Sequence, residues 1–263
     1  MSLTAVMLLN LLAVLAVMGV AWLVHLWRGK VSVVDGFWGP GFAVVAWLTY
    51  LLTGGTLERG ILLVALVSLW AVRLAAHVTR RNWGKPEDPR YADMRADRPE
   101  VFWIRSLVTV FGLQAVLVWI LALPLQLGIA ASAPPELTWL DLLGLLLWSF
   151  GFYWEAVGDE QLYRFKADPA NKGRILDTGL WRYTRHPNYF GETVMWWAIF
   201  VVACQVPGGA WTGISPLLLT FLLLKVSGVT LTEKKMGERH SELAAYKQRV
   251  SPFFPRPPKE RKR

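Results

Sequence analysis

Seven apolar runs, each long enough to cross a bilayer, alternate with polar connections along this chain. They are Leu3–Trp27, Phe37–Thr53, Gly60–Ala76, Trp103–Leu125, Leu137–Val157, Phe190–Val206 and Trp211–Leu231. A helix needs about 20 apolar residues to span the hydrocarbon. Inside lipid its backbone must satisfy its own hydrogen bonds. The pattern therefore predicts an all-α integral membrane protein with seven transmembrane helices. It shows no repeat, no long linker and no soluble domain. We expect one membrane domain over residues 1–263, with most polar motifs in 151–263. The first run lacks a basic leader and is longer than the core of a secretion signal, so it reads as the first span.

The connections differ in character. Those at 54–59, 126–136 and 207–210 are short and carry turn formers, such as Ala133-Pro134-Pro135 and Pro207-Gly208-Gly209. The others, counted with the adjoining span ends as segments 28–36, 73–105, 158–189 and 225–263, hold 27 of the 28 Lys and Arg residues; Arg59 is the exception. Positive loops stay in the cytoplasm, so the N-terminus is expected outside and the C-terminus inside. Six or eight spans would break that alternation. The tail from Pro252 to Arg263, rich in Pro and basic residues, is expected to lie on anionic lipid or to be disordered.

Composition then removes other classes. The net charge of +9 comes from bases beside apolar spans. It reflects topology, and nucleic acid is not expected as a partner. Trp22, Trp27, Trp38, Trp139 and Trp211 lie at span ends, as in an interfacial belt. The single cysteine, Cys204, can form no intrachain disulfide or thiolate cluster. His25, His77, His186 and His240 are scattered, so no metal is expected.

Candidate chemistry is densest between Gly151 and Glu192. Glu155 and Asp159 stand four apart on one predicted helix, and Asn188 and Glu192 repeat the spacing on the next. Acids near membrane depth need a polar cavity or a partner. The loop between carries Arg164, Lys166, Lys172, Arg174, Arg182 and Arg185. Carboxylates and amides can hold ribose hydroxyls and amide groups, and bases can hold phosphates. A nucleotide-like ligand suits this set; the alternative is that acids and bases simply pair. His186, before Pro187, either bonds a ligand or caps the helix. Asp35, in VDGFWGPG, either lines an apolar pocket or caps the second helix. Segment 77–105 either covers a cofactor or is a solvated loop.

The runs GFYWEAVGDEQLYRF and GLWRYTRHPNYFGE, with VDGFWGPGF and RRNWGKPEDPRY, resemble the steroid 5-alpha-reductase family, most closely its bacterial membrane-protein branch. The resemblance implies a seven-helix membrane fold, placed in a bacterial inner membrane with its cofactor site facing the cytoplasm. It implies NADPH as cofactor and reduction of the conjugated carbon–carbon double bond of a 3-oxo-4-ene steroid or similar lipid enone. The residues carried over are Asn188 and Glu192, unchanged, with Tyr189 and His186 in the same run. Glu155 falls where the family has Asn, and Asp159 matches. Lys166 falls where the family commonly has Arg, Arg174 matches the basic residue before the GL turn, Arg164 is a further candidate for the cofactor phosphates, and Asn82 and Lys85 match the second cytoplasmic loop. Asp35 is the stand-in for a substrate-facing pair and, to assist an enolate, would act in its protonated form. No counterpart of the family's substrate-facing Tyr is identified. The RHPxYxG run is also shared with isoprenylcysteine and phospholipid methyltransferases, which use S-adenosylmethionine. That is the rival expectation. A transporter would be expected to have helices broken at mid-membrane.

Overall fold

A computed structural model describes residues 1–54, 58–237 and 242–259. Among the described residues the chain is helical, with no strands beyond one parallel bridge between Thr184 and Ser251. The helices are α1 (Leu3–Arg28), α2 (Asp35–Leu52), α3 (Glu58–Asn82), α4 (Pro89–Asp97), α5 (Phe102–Ser106), α6 (Leu113–Leu121), α7 (Leu123–Ala130), α8 (Trp139–Ala167), α9 (Pro187–Ala203), α10 (Ile214–Phe221), α11 (Val229–Gly237) and α12 (Leu243–Arg249). A π-helical stretch, Leu107–Gly112, joins α5 to α6, and another, Leu222–Val226, follows α10.

Among the described residues six helical segments are long and apolar enough to cross a membrane: Leu3–Arg28, Val31–Leu52, Glu58–Asn82, Pro99–Leu121, Trp139–Ala167 and Gly209–Lys234. The expected span at 190–206 is α9, with 17 residues. At 1.5 Å per residue it covers about 26 Å, a little less than the hydrocarbon core.

The described chain divides into two compact units. The first comprises Met1–Asp141 and Val202–Thr212. In it α2 and α3 pack most extensively, and α1, α6 and α7 complete the layer. Gly39 permits the close approach of α2 to α3, because a Cβ there would lie 3.0 Å from Ala71 Cα. Gly29, at φ 68°, ends α1 in the left-handed conformation that glycine adopts without strain.

One expectation is corrected here. The fourth span does not run to Leu125, and 126–136 is not simply an outer connection. The helix stops at Leu121, and α7 starts again with Pro124 in its first turn. Proline lacks the N–H and clashes with the preceding turn, so it restarts a helix and does not continue one. Every residue of α7 from Leu123 to Ile129 is buried, against α2 and α3 among others. There Gln126 joins a polar cluster in the apolar layer. Asn10 Nδ2 donates to Thr49 Oγ1 at 2.8 Å and to Gln126 Oε1 at 3.0 Å.

The second unit comprises Leu142–Val201 and the chain from Gly213 onward. Its second correction concerns the tail. Residues 252–259 are pinned, neither disordered nor merely resting on lipid. Arg256 N donates to Tyr183 O and Lys259 N to Arg249 O, each at 3.0 Å. Phe253 is buried and packs its ring edge-on to Phe190. Residues 260–263 lie outside the described part.

Candidate functional site

In the second unit the two predicted polar faces meet. α8 and α9 cross at glycines: a Cβ on Gly151 would lie 2.6 Å from Gly191 O, and one on Gly191 would collide with the backbone of Glu155. Only hydrogen fits between the helices at these points. The close crossing brings Asn188, in the first turn of α9, against Asp159. Asn188 Nδ2 donates to Asp159 Oδ1 at 3.0 Å. Glu155, one turn back on α8, is 3% exposed, and Asp159 is 7% exposed. Glu192 lies one turn on from Asn188 and is half-buried.

Among the described residues, three buried polar atoms of this region have no hydrogen-bond partner: Asn188 Oδ1, His186 Nε2 and Thr193 Oγ1. An unsatisfied buried acceptor or donor costs about 1–3 kcal/mol, so such a group points to a ligand or a water. The His186 ring is stacked on Tyr189, with centroids 5.4 Å apart. Its Nε2 stands 3.5 Å from Glu233 Oε1. Burial, which favours the neutral ring, holds the imidazole below its ordinary pKa against the opposing pull of Glu233.

The turn leading into α9 is held from several sides. Leu180 N donates to Gln161 Oε1 at 3.0 Å, Trp181 Nε1 to Gly158 O at 3.0 Å, and Tyr246 Oη to Trp181 O at 2.7 Å. Arg185 is not a phosphate-facing base. It is 8% exposed and donates to Glu233 Oε1 at 2.7 Å and Val250 O at 2.6 Å. Lys247 closes the network on Glu233 at 2.8 Å. Glu233 was not singled out in the sequence, where no local pattern distinguishes it from other loop acids.

The remaining bases lie at the surface. Arg164 is exposed and pairs with Glu160, one turn earlier, at 2.7 Å. Lys166 and Arg174 are exposed.

Asp35, Asn82 and Lys85 belong to the first unit. Asp35 is not a side-chain cap. The backbone N–H groups of Val31 and Ser32 are instead accepted by Glu87, at 2.6 and 3.0 Å. The Asp35 carboxylate meets the Tyr91 hydroxyl in a long contact of 3.5 Å. Tyr91 is buried on α4. Burial, reinforced by the charge of Asp35, holds its phenol well above the ordinary range, so it keeps its proton. Tyr91 closes the RRNWGKPEDPRY run, but nothing in its spacing points to Asp35, 56 residues earlier. Segment 77–105 is ordered: Asp88 caps α4 by accepting from Arg90 N at 2.9 Å, and Arg95 donates to Gly29 O at 2.9 Å. Asn82 lines a cavity of about 190 Å³ between the ends of α1 and α3 and the start of α2.

The model of the DUF1295 family, described as a protein of unknown function, matches residues 21–250. An uncharacterized protein of the fission yeast Schizosaccharomyces pombe is 30% identical over 270 residues, covering 90% of this chain and 76% of that protein. No solved structure matches.

Proposed function

This chain belongs to the DUF1295 family, which contains steroid 5-alpha-reductase-like membrane proteins, and on that footing we propose that it is an NADPH-dependent membrane oxidoreductase. Its substrate class is a lipid-soluble enone, a 3-oxo-4-ene steroid or a lipid of similar shape. The proposed topology has seven spans, α9 included, with the N-terminus outside and the cofactor face in the cytoplasm, as in a bacterial inner membrane.

The observation that carries this reading is the buried Asp159–Asn188 pair with its unpartnered amide oxygen. The donor set fits a nicotinamide dinucleotide. Asn188 Oδ1 can accept from a carboxamide NH₂ or a ribose hydroxyl. Glu155, Asp159 and Glu192 can accept from further hydroxyls, and neutral His186, with Tyr189 against it, offers one more polar contact. The exposed heads of Lys166 and Arg174, and Arg164 beside them in sequence, suit phosphates. When bound, NADPH supplies a hydride for the β carbon of the enone. At the substrate oxygen a proton-bearing group must face the developing charge. An ionised carboxylate alone would repel an enolate, whereas a group that keeps its proton, as Tyr91 does beside Asp35 in the first unit, has the chemistry such a step requires.

The test is mass spectrometry of nucleotides retained by gently extracted protein, followed by assay with progesterone or testosterone. NADP(H) in the protein and NADPH-dependent loss of the enone absorbance are the expected results. S-adenosyl compounds, with methylation of a lipid, would hand the site to the methyltransferase reading.

A further inference from the structure

The cavity of the first unit has a composition that the reductase reading uses only at Asn82. Val24, Phe37 and Val78 form an apolar wall, and Arg28, Lys30 and Asn82 form a polar rim. Two cations line it, and no acid does. The carboxylate of Glu87, beside the start of α2, is occupied by the backbone N–H groups of Val31, Ser32 and Asp88. Arg28 lies over the exposed ring of Trp83, 5.3 Å from its centroid, which leaves the N–H edge of its guanidinium for an anion. Lys30 donates one hydrogen to Lys85 O, and an ammonium has two more.

The apolar wall continues out of the cavity. Val20, Val24 and Arg28 follow one another at four-residue spacing on one stripe of α1. Val20 is 52% exposed, on the membrane-facing surface of a span. A ligand seated here meets a cationic rim at one end and lipid-exposed side chains at the other. A soluble anion would leave the apolar wall unused, and a neutral apolar molecule would leave the two cations unpaired.

We propose that this cavity is a binding site for an anionic phospholipid of the surrounding bilayer. Its phosphate is held by Arg28 and Lys30, and the start of an acyl chain runs along the Val24–Val20 stripe. The proposal does not rest on the reductase reading. It does compete with that reading for the rim residue Asn82.

The experiment is thermal unfolding of the full chain in a neutral detergent, titrated with phosphatidylglycerol, phosphatidylcholine, inorganic phosphate or NADPH. Phosphatidylglycerol is expected to raise the midpoint of the wild type more than phosphatidylcholine does. In the double variant R28Q/K30Q its apparent affinity is expected to fall on the order of tenfold, because two charge-assisted contacts are lost. Gly36→Leu is the second variant. Gly36 lines the cavity, and a Cβ there meets only Thr79 Oγ1 at 3.6 Å, an ordinary contact, so the first atom of the new side chain is accommodated and the rest takes up space in the cavity. It should abolish the phosphatidylglycerol response while the protein stays monodisperse, and it decides the matter if the double variant fails to fold. Equal responses in wild type and variants overturn the proposal. So does inorganic phosphate alone reproducing the shift, which would mean a simple anion site, or NADPH displacing the lipid, which would give the cavity to the nucleotide. NADPH binding by Gly36→Leu, measured in parallel, keeps the two ideas apart. If it persists while the lipid response is gone, the reductase reading stands unaffected.

Discussion

Two buried polar clusters, one in each unit, solve the same problem in opposite ways. In the first unit Arg59 is 2% exposed and fully engaged. Its Nε and Nη2 reach the two Asp141 oxygens at 2.8 and 3.0 Å, Nη1 reaches Pro134 O at 2.7 Å, and Nη2 also reaches Glu136 O at 2.8 Å. Asp141 in turn accepts from Thr138 N at 2.7 Å. In the second unit, among the described residues, Asn188, His186 and Thr193 each keep a buried atom without a hydrogen-bond partner, although Glu233 lies 3.5 Å from the His186 ring. A saturated cluster has nothing left to offer a ligand, so its work is to hold the chain around 134–141. An unsaturated one retains the capacity to bind. The comparison also explains why Arg59 stood alone among the sparsely charged connections: it is a clamp, and it does not report topology.

The largest effect should come from breaking the saturated cluster. Arg59→Met strands the Asp141 carboxylate in a buried position, which typically costs about 3–5 kcal/mol. We expect a large drop in the thermal midpoint and loss of monodispersity. The double variant R59M/D141L should regain much of the loss, since an apolar pair of similar volume is often as good as a buried ion pair. A single variant as stable as the wild type would remove the clamp from the comparison.

The next effect belongs to the unsaturated side and should fall first on cofactor binding. Asn188→Ala and Glu192→Gln are each expected to weaken NADPH binding by about 1–3 kcal/mol, one hydrogen bond's worth. Asn188→Ala also takes a donor from the buried Asp159 carboxylate, so its thermal midpoint without cofactor should fall as well, and enone reduction should fall with binding in both variants. Variants that bind and reduce like the wild type would show that these residues serve only the helix crossing.

The smallest effect sharpens the comparison at its most buried ring. His186 is held below its ordinary value of 6.5 by burial. Below about pH 6.5 the unfolded chain takes up a proton that the folded chain refuses, so stability should decline as the pH falls through that value toward the folded one. His186→Gln should flatten this acid limb of the stability profile. An unchanged limb would place the titrating group elsewhere, and Glu233, Arg185 and Lys247, which face the ring, are the next to vary.

Much of this was legible in the sequence, for identifiable reasons. Long apolar runs and the four-residue spacing of Glu155 with Asp159 and of Asn188 with Glu192 are local patterns, and the helices followed them. What could not be read was set by contacts between distant segments. Hydropathy does not separate the end of a span from a short buried helix, so α7 was missed, although Pro124 marked its start. Arg185 looks like every other loop base, and only its burial among Glu233 and the Val250 carbonyl shows that it is structural. Tyr91 reaches Asp35 through α4, whose placement depends on Glu87 and Arg95 at the junction of α1 and α2. The tail has the composition of an unstructured segment, yet two backbone hydrogen bonds fix it.

Gly191 bears on what a shared motif is worth. It stands inside the run RHPNYFGE, which resembles both reductases and methyltransferases. Here it is the point at which two helix backbones touch, with no room for a methyl group. Any larger residue at that position would force two rods apart, whatever molecule lies beside them. A run that includes it therefore reports on helix spacing, and the chemistry must be read from the side chains around it.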